Sequence, residues 1–279
     1  MRFKKKVKIR NYYINTRKVL TGSYPFSRFL LLYSYFKLLI KSFLRHRFYT
    51  RSNGNFFVEN LLGYQIRFFS YSQVINLFEE IFIHEVYKFD SRNSKPCIID
   101  CGSNIGMSIL YFKCLYPHST ITAFEPDPNA FRLIQENVKQ NKLTNVTVLN
   151  FALDYAPGKV ILFGNQQPGG LTNSLITSSD RKIGTTIFAK KLSEFIDQSI
   201  DLLKIDVEGA EGKIIDDLIF HKKLSAIKNL IIEFHPKYVD SSLEDFISKL
   251  KSHRFSCQIV KDTLHPLATE YIIYCSSEG

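Results

Sequence analysis

Glycines and acidic residues follow two apolar segments at spacings that could bind a nucleoside. Residues 97–100 read as a short strand ending in Asp100, and the loop after it contains Gly102 and Gly106. Glycines there let the backbone turn tightly and approach a ligand, while the next helix offers unpaired N–H groups to a carboxylate or phosphate. Glu125 ends the following strand, where a carboxylate can accept hydrogen bonds from both ribose hydroxyls. This pattern predicts a nucleoside-cofactor site.

The glycine spacing bears on the kind of cofactor. Asn104 stands where a dinucleotide-binding loop has its second glycine. A pyrophosphate needs the backbone closer than a side chain at that place allows, which disfavours NAD and FAD. An NAD-dependent oxidoreductase therefore stays a minor alternative.

A second polar group lies at the ends of two later apolar segments. Asp206 and Glu208 follow one segment, and Glu233 and His235 end the other. If the two segments are neighbouring strands, these side chains meet at one edge of the sheet. They could act as a base toward an alcohol, or they could hold a divalent ion with oxygen ligands. The sequence leaves both roles open.

Alternating strands and helices must position these residues. From residue 95 onward, short apolar strands alternate with helices over short connections, which implies a parallel sheet with right-handed crossovers. Segments 255–260 and 271–275 are expected to close the chain as an antiparallel pair. The polar segment 164–184 has the length typical of a lid or binding loop. Its residues expected to contact an acceptor are Gly169, Gly170, Thr172, Asn173 and Ser174.

The chain is predicted to have three parts. Residues 1–52 form a basic helical extension, 53–94 a hairpin and helix, and 95–279 the cofactor-binding domain. The helix of the second part is predicted over 70–89, opened by a capping box at Ser70.

Basic charge is concentrated in the first part. Residues 1–51 carry fourteen Lys and Arg and no acid, whereas the rest has 23 basic and 26 acidic residues. The body is slightly acidic, so the net charge of +11 does not indicate nucleic-acid binding. Residues 29–40 are apolar on nearly every side; they are too few to span a membrane but enough to lie in its interface. Residues 1–51 therefore either contact an anionic membrane or pack against the catalytic domain or a second subunit.

Cysteine usage and the start of the chain bear on location. The five cysteines form no Cys-x-x-Cys pair, and we expect buried free thiols in a reducing compartment. No apolar signal-peptide core follows the basic start. We expect a cytoplasmic protein, held at the inner membrane face if the basic segment binds lipid.

Three motifs together resemble the FkbM family of S-adenosylmethionine-dependent methyltransferases. They are the loop 100–106, the segment 123–128 and the run Leu-Lys-Ile-Asp-Val-Glu-Gly-Ala-Glu at 203–211. The resemblance covers roughly 95–240. It implies an α/β fold of the Rossmann-like class I methyltransferases, with a mostly parallel seven-stranded sheet and S-adenosylmethionine as the cofactor.

The resemblance also implies residue roles. Glu125 would take the ribose, and Asp206 would face the methionyl end or the incoming hydroxyl. The methionyl amine and carboxylate would be held by Asp100 and the loop backbone at Gly102, Ser103, Asn104 and Gly106. The adenine would be bordered by Asn150, Phe151 and Ala152. The catalytic candidates are Asp206, Glu208, Glu233 and His235.

Several functions fit these motifs. An O-methyltransferase acting on a hydroxyl of a glycan, sugar or polyketide-like small molecule is favoured. A methyltransferase with a nitrogen or other acceptor and a non-catalytic nucleoside-binding protein of the same fold are the alternatives. The sequence specifies neither the acceptor nor the oligomeric state.

Overall fold

The computed structural model describes residues 2–48, 56–164, 174–175, 183–238, 241–261 and 270–278, apart from the side chains of 2–10, 45–48 and 183. The chain divides into two compact units, Met1–Val86 and Tyr87–Gly279.

A seven-stranded sheet organises the larger unit. Its strands are β3 (Cys97–Cys101), β4 (Thr120–Phe124), β5 (Val146–Leu149), β9 (Leu202–Ile205), β10 (Asn229–Phe234), β11 (Phe255–Lys261) and β12 (Tyr271–Ser277). The order across the sheet is β11-β12-β10-β9-β3-β4-β5. Strands β5, β4, β3, β9 and β10 pair in parallel, and β12 is antiparallel to both its neighbours. The predicted mostly parallel sheet with an antiparallel C-terminal pair is confirmed.

The position of β3 in this order matters for ligand binding. Strand β3 lies between β4, the next strand in the chain, and β9, which the chain reaches much later. The chain therefore builds the sheet on one side of β3 through β4 and β5, and later on the other side of β3 through β9 and β10. Ligands of such sheets bind at the carboxyl ends of the strands beside this switch point.

Four helices connect or flank these strands: α4 (Met107–Leu115), α5 (Pro128–Gln140), α6 (Glu211–Phe220) and α7 (Leu243–Ser252). Gly106 is the N-cap of α4, and its φ of 86° is one that glycine adopts without strain. Helix α5 begins at Pro128, and the Asp127 side chain caps it by accepting hydrogen bonds from the N–H groups of Asn129 and Ala130. The helix starts thus lie next to the strand ends.

The core of the larger unit fills the space between the sheet and these helices. All four residues of β9 are buried. Apolar side chains from β4, β9 and β10, among them Phe124, Leu203 and Ile232, belong to one buried cluster. Strands covered on both faces have largely apolar sequences, and the strand predicted over 97–100 is observed as Cys97–Cys101.

A smaller sheet follows β5. Its strands are β6 (Ala152–Leu153), β7 (Gly158–Gly164) and β8 (Ile183–Lys190), in the order β6-β8-β7. The sequence predicts β7 but misses β8, whose first two residues fall inside the segment predicted to be a loop. Strand β8 pairs with β7, and its sequence, with Gly184 and two adjacent threonines before Ile187 and Phe188, lacks a regular alternation that would predict a strand.

Most of the predicted acceptor-binding loop lies outside the described residues, including Gly169, Gly170, Thr172 and Asn173. Ser174 is described and pairs with Phe163 through two backbone hydrogen bonds of 2.7 and 2.9 Å. Its hydroxyl donates to the carbonyl oxygen of Glu208. One point of this segment is thereby joined to the end of β9.

The cysteines differ in part from the expectation of free thiols. Cys97, Cys101 and Cys114 are free, but Cys257 and Cys275 form a disulfide between β11 and β12. The prediction is wrong for this pair because the two residues stand directly opposite each other in the antiparallel register. A separation of 18 residues in the sequence does not reveal that register.

The smaller unit consists of helices around a hairpin. Its elements are α1 (Arg2–Thr21), α2 (Arg28–Phe48), β1 (Phe57–Leu61), β2 (Tyr64–Phe68) and α3 (Tyr71–Phe78), followed by a π-helical turn over Glu79–Ile83. The helix predicted over 70–89 is therefore shorter. Ser70 is its N-cap by backbone position, but its side chain makes no capping hydrogen bond, so the predicted capping box is wrong.

Helix α2 buries one face and pairs two of its lysines. Leu31, Tyr35 and Leu38 are fully buried. Lys37 and Lys41 lie 3.0 and 2.5 Å from the carboxylate of Glu59 on β1. Burial alone would raise the pKa of Glu59, but hydrogen bonds from Lys41, Tyr71 and Lys37 lower it below its usual value. In the parts of the chain that the structure describes, no helix is long and apolar enough to cross a membrane.

Candidate active site

The loop after β3 is held against the ends of its two neighbouring strands. Gly102 and Ser103 donate their N–H groups to the carbonyl oxygen of Phe124 at the end of β4. On the other side, a Cβ atom added to Gly102 would lie 1.7 Å from the carbonyl oxygen of Asp206, and Gly102 has φ +84°. No side chain fits there, so the glycine is required by the close approach of the two strand ends.

Glu125 lies beside this loop, directly after β4. Its side chain is buried, and its two oxygens accept hydrogen bonds from the N–H groups of Asn104 at 2.7 Å and Asp127 at 2.8 Å. Burial raises the pKa of Glu125 to about 8, although the two backbone hydrogen bonds act in the opposite direction. The carboxylate is thereby fixed next to the glycine loop and the start of α5.

The residues predicted to border an adenine follow β5. The amide of Asn150 donates to the carbonyl oxygens of Glu125 and Pro126, at 2.8 and 3.1 Å. Phe151 is half-buried, and Ala152 is buried in β6. Asn150 thus joins the ends of β4 and β5, which keeps this group next to Glu125.

The Asp100 carboxylate is bound by two other side chains of the protein. Its side chain is fully buried and accepts a hydrogen bond from Ser108 at 2.5 Å. The ammonium of Lys204 on β9 lies 3.2 Å from the same carboxylate and donates to the carbonyl oxygen of Gly102 at 2.6 Å. The sequence predicted direct contact between Asp100 and the methionyl amine. The structure instead gives Asp100 contacts that fix the glycine loop from inside the protein.

Lys204 keeps its charge in the core because it has acidic partners. Burial alone would lower its pKa, but Asp100 and Asp206 raise it above the usual value. Asp206 lies 3.5 Å away, and its side chain is 25% exposed. Asp206 is therefore the partner of Lys204 that a ligand can reach. Its carboxylate also accepts a hydrogen bond from the Tyr87 hydroxyl, at 3.2 Å.

His235 lies close to three acidic side chains, two of which are the catalytic candidates Glu208 and Glu233. Its Nδ1 lies 2.8 Å from Glu211 Oε1, while its Nε2 lies 3.8 Å from Glu208 and 3.7 Å from Glu233. Burial lowers the pKa of His235, but the Glu211, Glu208 and Glu233 carboxylates together raise it well above its usual value. The four predicted catalytic candidates thus lie at the adjacent carboxyl ends of β9 and β10.

Two residues of this arrangement were missed as functional candidates. Glu211 ends one of the three motifs without an assigned role, yet it lies 2.8 Å from His235 Nδ1 and also accepts the N–H of Gly209 at 3.0 Å. Tyr87 lies far away in the sequence and has no motif. Lys204 is the sequence feature that indicates this charged network. A lysine inside a mostly apolar strand needs acidic partners, and these lie at the ends of its own strand and of the neighbouring strand.

The fold and these groups together define a class. A mostly parallel sheet in this strand order, with a glycine loop after its central strand and an acid after the next, is the Rossmann-like class I methyltransferase arrangement. A methyltransferase FkbM domain matches residues 100–257. The chain belongs to the FkbM methyltransferase family and is a methyltransferase.

Named relatives agree with this assignment. Methyltransferase sdnD of Sordaria araneosa is 30% identical over 190 residues, which cover 56% of this chain and 73% of the relative. The 31-O-demethyl-FK506 methyltransferase FkbM of Streptomyces tacrolimicus is 25% identical over 223 residues, covering 67% of this chain and 84% of the relative. Among solved structures, methyltransferase FkbM of Methylobacillus flagellatus KT aligns with 17% identity and a TM-score of 0.48, over 70% of this chain and 46% of that one.

Proposed function

We propose that the protein transfers a methyl group from S-adenosylmethionine to a hydroxyl of a glycan, sugar or polyketide-like small molecule. The observation that carries this proposal is the placement of two groups on the two sides of the switch point at β3. One is Glu125, and the other is the His235 cluster, which we define as His235 with the acidic residues near it, Asp206, Glu208, Glu211 and Glu233. One side offers a carboxylate suited to a ribose, and the other offers acidic groups suited to an alcohol proton.

The residues present fit S-adenosylmethionine. The Glu125 carboxylate would accept hydrogen bonds from the ribose hydroxyls, and residues 150–152 would border the adenine. The backbone of Gly102, Ser103, Asn104 and Gly106 would hold the methionyl carboxylate at the start of α4. Asp206 would face the methionyl end or the incoming hydroxyl, with Asp100 acting through Lys204 to position the loop.

The chemistry on the acceptor side follows from the reaction class. When bound, S-adenosylmethionine supplies an electrophilic methyl group on a sulfonium. Transfer is an in-line displacement, so the protein contributes mainly alignment, with reacting atoms about 3 Å apart. An alcohol must also lose a proton, and the carboxylates around His235 can accept it. The name of the Streptomyces tacrolimicus relative, a 31-O-demethyl substrate, favours oxygen over nitrogen as the acceptor.

Mass spectrometry of products tests this proposal. Incubation with methyl-labelled S-adenosylmethionine and a panel of glycans and hydroxylated polyketides should label at least one acceptor, and fragmentation should place the label on oxygen. A matched panel of amines should stay unlabelled. Label on nitrogen would replace the proposed acceptor class, and failure of S-adenosylmethionine to bind would refute the cofactor.

We further propose that the smaller unit binds an anionic membrane surface. Five large apolar side chains form one exposed stripe of α2 at helical spacing: Phe29, Tyr33, Phe36, Ile40 and Phe43. Lys37 and Lys41 are already paired with Glu59, but the fourteen basic residues of 1–51 still exceed the acids of that segment, which has none. Basic residues near an anionic leaflet contribute about 1 kcal/mol each. Apolar contact and charge would therefore act together.

Vesicle flotation tests this contact. The protein should float with anionic but not with neutral vesicles, and less so in high salt. A Phe29→Ser, Phe43→Ser variant should lose flotation, whereas Phe188→Ser, which alters a 55% exposed phenylalanine on β8, should keep it. Absence of flotation at low salt, or a dimer that the double variant dissociates, would assign the stripe to a protein interface.

A further inference from the structure

The His235 cluster has a geometry that acid–base chemistry alone does not require. One ligand-type atom each from Asp206, Glu208 and His235 lies within 4.8 Å of the other two. His235 Nε2 stands 3.8 Å from Glu208 Oε1 and 3.7 Å from Glu233 Oε1. These separations exceed a hydrogen bond.

The same separations suit ligands of one cation. Metal–ligand bonds of about 2.1 Å place neighbouring ligand atoms roughly 3 to 3.5 Å apart and opposite ones about 4.2 Å apart. The 3.8 Å between His235 Nε2 and Glu208 Oε1 falls inside these limits, and the ligand atoms of all three residues lie within 4.8 Å of one another. A divalent cation among these atoms would contact both the imidazole and the carboxylates after small side-chain rotations.

Glu211 provides a second, independent observation. It is fully buried, and its Oε1 lies 2.8 Å from His235 Nδ1. Its Oε2 is buried and finds no hydrogen-bond partner among the residues that the structure describes. A buried carboxylate behind one imidazole nitrogen is the arrangement that orients histidine ligands, since it holds a proton on Nδ1 and directs Nε2 outward, where a cation would take the place of the Nε2 proton. Here Nε2 is turned toward Glu208 and Glu233.

We propose that Asp206, Glu208 and His235 bind a divalent cation of the Mg²⁺ or Mn²⁺ kind, and that Glu211 is the positioning residue for His235. Two carboxylates with one imidazole favour these cations over thiolate-preferring metals. The inference rests on the proposed hydroxyl acceptor, because its function is to activate that hydroxyl.

Groups within the site account for every bond and proton of the methyl transfer. A cation held by Asp206, Glu208 and His235 would lower the pKa of an acceptor hydroxyl beside it. Its O–H bond breaks and the proton passes to the carboxylate of Glu233, which lies 3.7 Å from His235 Nε2 and is not one of the three proposed ligands. The oxygen forms a bond to the methyl carbon as the carbon–sulfur bond breaks, and the sulfonium becomes a neutral thioether. No oxidant or reductant is needed.

Manganese binding tests the site separately from turnover. After treatment with EDTA and its removal, the full-length protein should bind one Mn²⁺ per chain in electron paramagnetic resonance titrations. Asp206→Asn and Glu208→Gln, which alter partly exposed side chains, should abolish saturable binding. Glu211→Gln should weaken it roughly 10- to 100-fold. The matched control is Asp216→Asn, a 49% exposed carboxylate paired with Lys249, which should bind Mn²⁺ normally.

The outcomes separate this inference from the proposed function. Mn²⁺ binding that Asp206→Asn and Glu208→Gln leave unchanged, or no saturable binding at all, would overturn the site. Methyl transfer at an unchanged rate in the EDTA-treated protein would also overturn it while leaving the O-methyltransferase proposal intact. Normal Mn²⁺ binding without any S-adenosylmethionine binding would refute the proposed function and retain the cation site.

Discussion

Replacement of Glu125 by alanine should weaken S-adenosylmethionine binding roughly 100-fold or more. The substitution removes two charge-assisted hydrogen bonds to the ribose, each worth about 1.5–3 kcal/mol. It also frees the N–H groups of Asn104 and Asp127, which the carboxylate now orders. Titration calorimetry measures the loss, and unchanged affinity would remove Glu125 from the ribose site.

The pH dependence of the same affinity gives a second test of Glu125. Burial raises its pKa to about 8, so the ligand-free protein holds this proton at neutral pH, and ionisation must accompany ribose binding. Affinity should therefore rise by up to about tenfold per pH unit as pH increases toward 8. A Glu125→Gln variant should lack this rise and reveal any titration that belongs to the cofactor itself.

The contribution of Glu125 to the free energy of unfolding should change with pH in the opposite direction to the affinity. The raised pKa means that the folded, ligand-free protein binds a proton which the unfolded chain releases near the ordinary value of 4.5. The contribution of Glu125 to the free energy of unfolding is thus fully present below that pH and is lost as pH rises through about 8.

Replacement of Gly102 by alanine should be the most damaging single change to the glycine loop. The new Cβ would lie 1.7 Å from the Asp206 carbonyl oxygen, which is backbone and cannot rotate away. The ends of β3 and β9 would have to separate, with a destabilisation of roughly 3 kcal/mol or more and loss of cofactor binding. Thermal denaturation and calorimetry measure both effects.

Gly63→Ala is the matched control for this substitution. Gly63 has φ +86°, almost the same as the +84° of Gly102, but no atom lies within 4 Å of the position that a Cβ would take there. This variant should lose only the roughly 1 kcal/mol of a residue with positive φ and should bind S-adenosylmethionine normally. Equal losses at the two positions would mean that the strand contact at Gly102 has no special importance.

Sequence patterns predict the larger unit well because its strands are buried on both faces. Segments such as 120–124 and 229–234 are mostly apolar and have helices between them, and this alternation indicates a parallel sheet. Strand β8 lacks such a run and depends on its pairing with β7. The disulfide of Cys257 and Cys275 depends likewise on a register that only the folded sheet fixes.

The candidate site likewise contains some residues that the sequence predicts and others whose contacts only the folded sheet reveals. Gly102 and Glu125 can be found from the sequence because each follows an apolar strand at the expected place. The contact between His235 and Glu211 is different, since a strand end and a helix start meet only after the sheet has formed. Asp100 shows the converse: its place in the motif can be read from the sequence, but its burial beside Lys204 and Ser108 cannot.

A crystal structure with S-adenosylhomocysteine tests the account most directly. We expect the ribose hydroxyls on the Glu125 carboxylate, the adenine beside residues 150–152, and the sulfur directed toward the Asp206 and His235 side of the switch point. Density for the nucleoside away from Glu125, or a sulfur directed away from the His235 cluster, would contradict the proposed site.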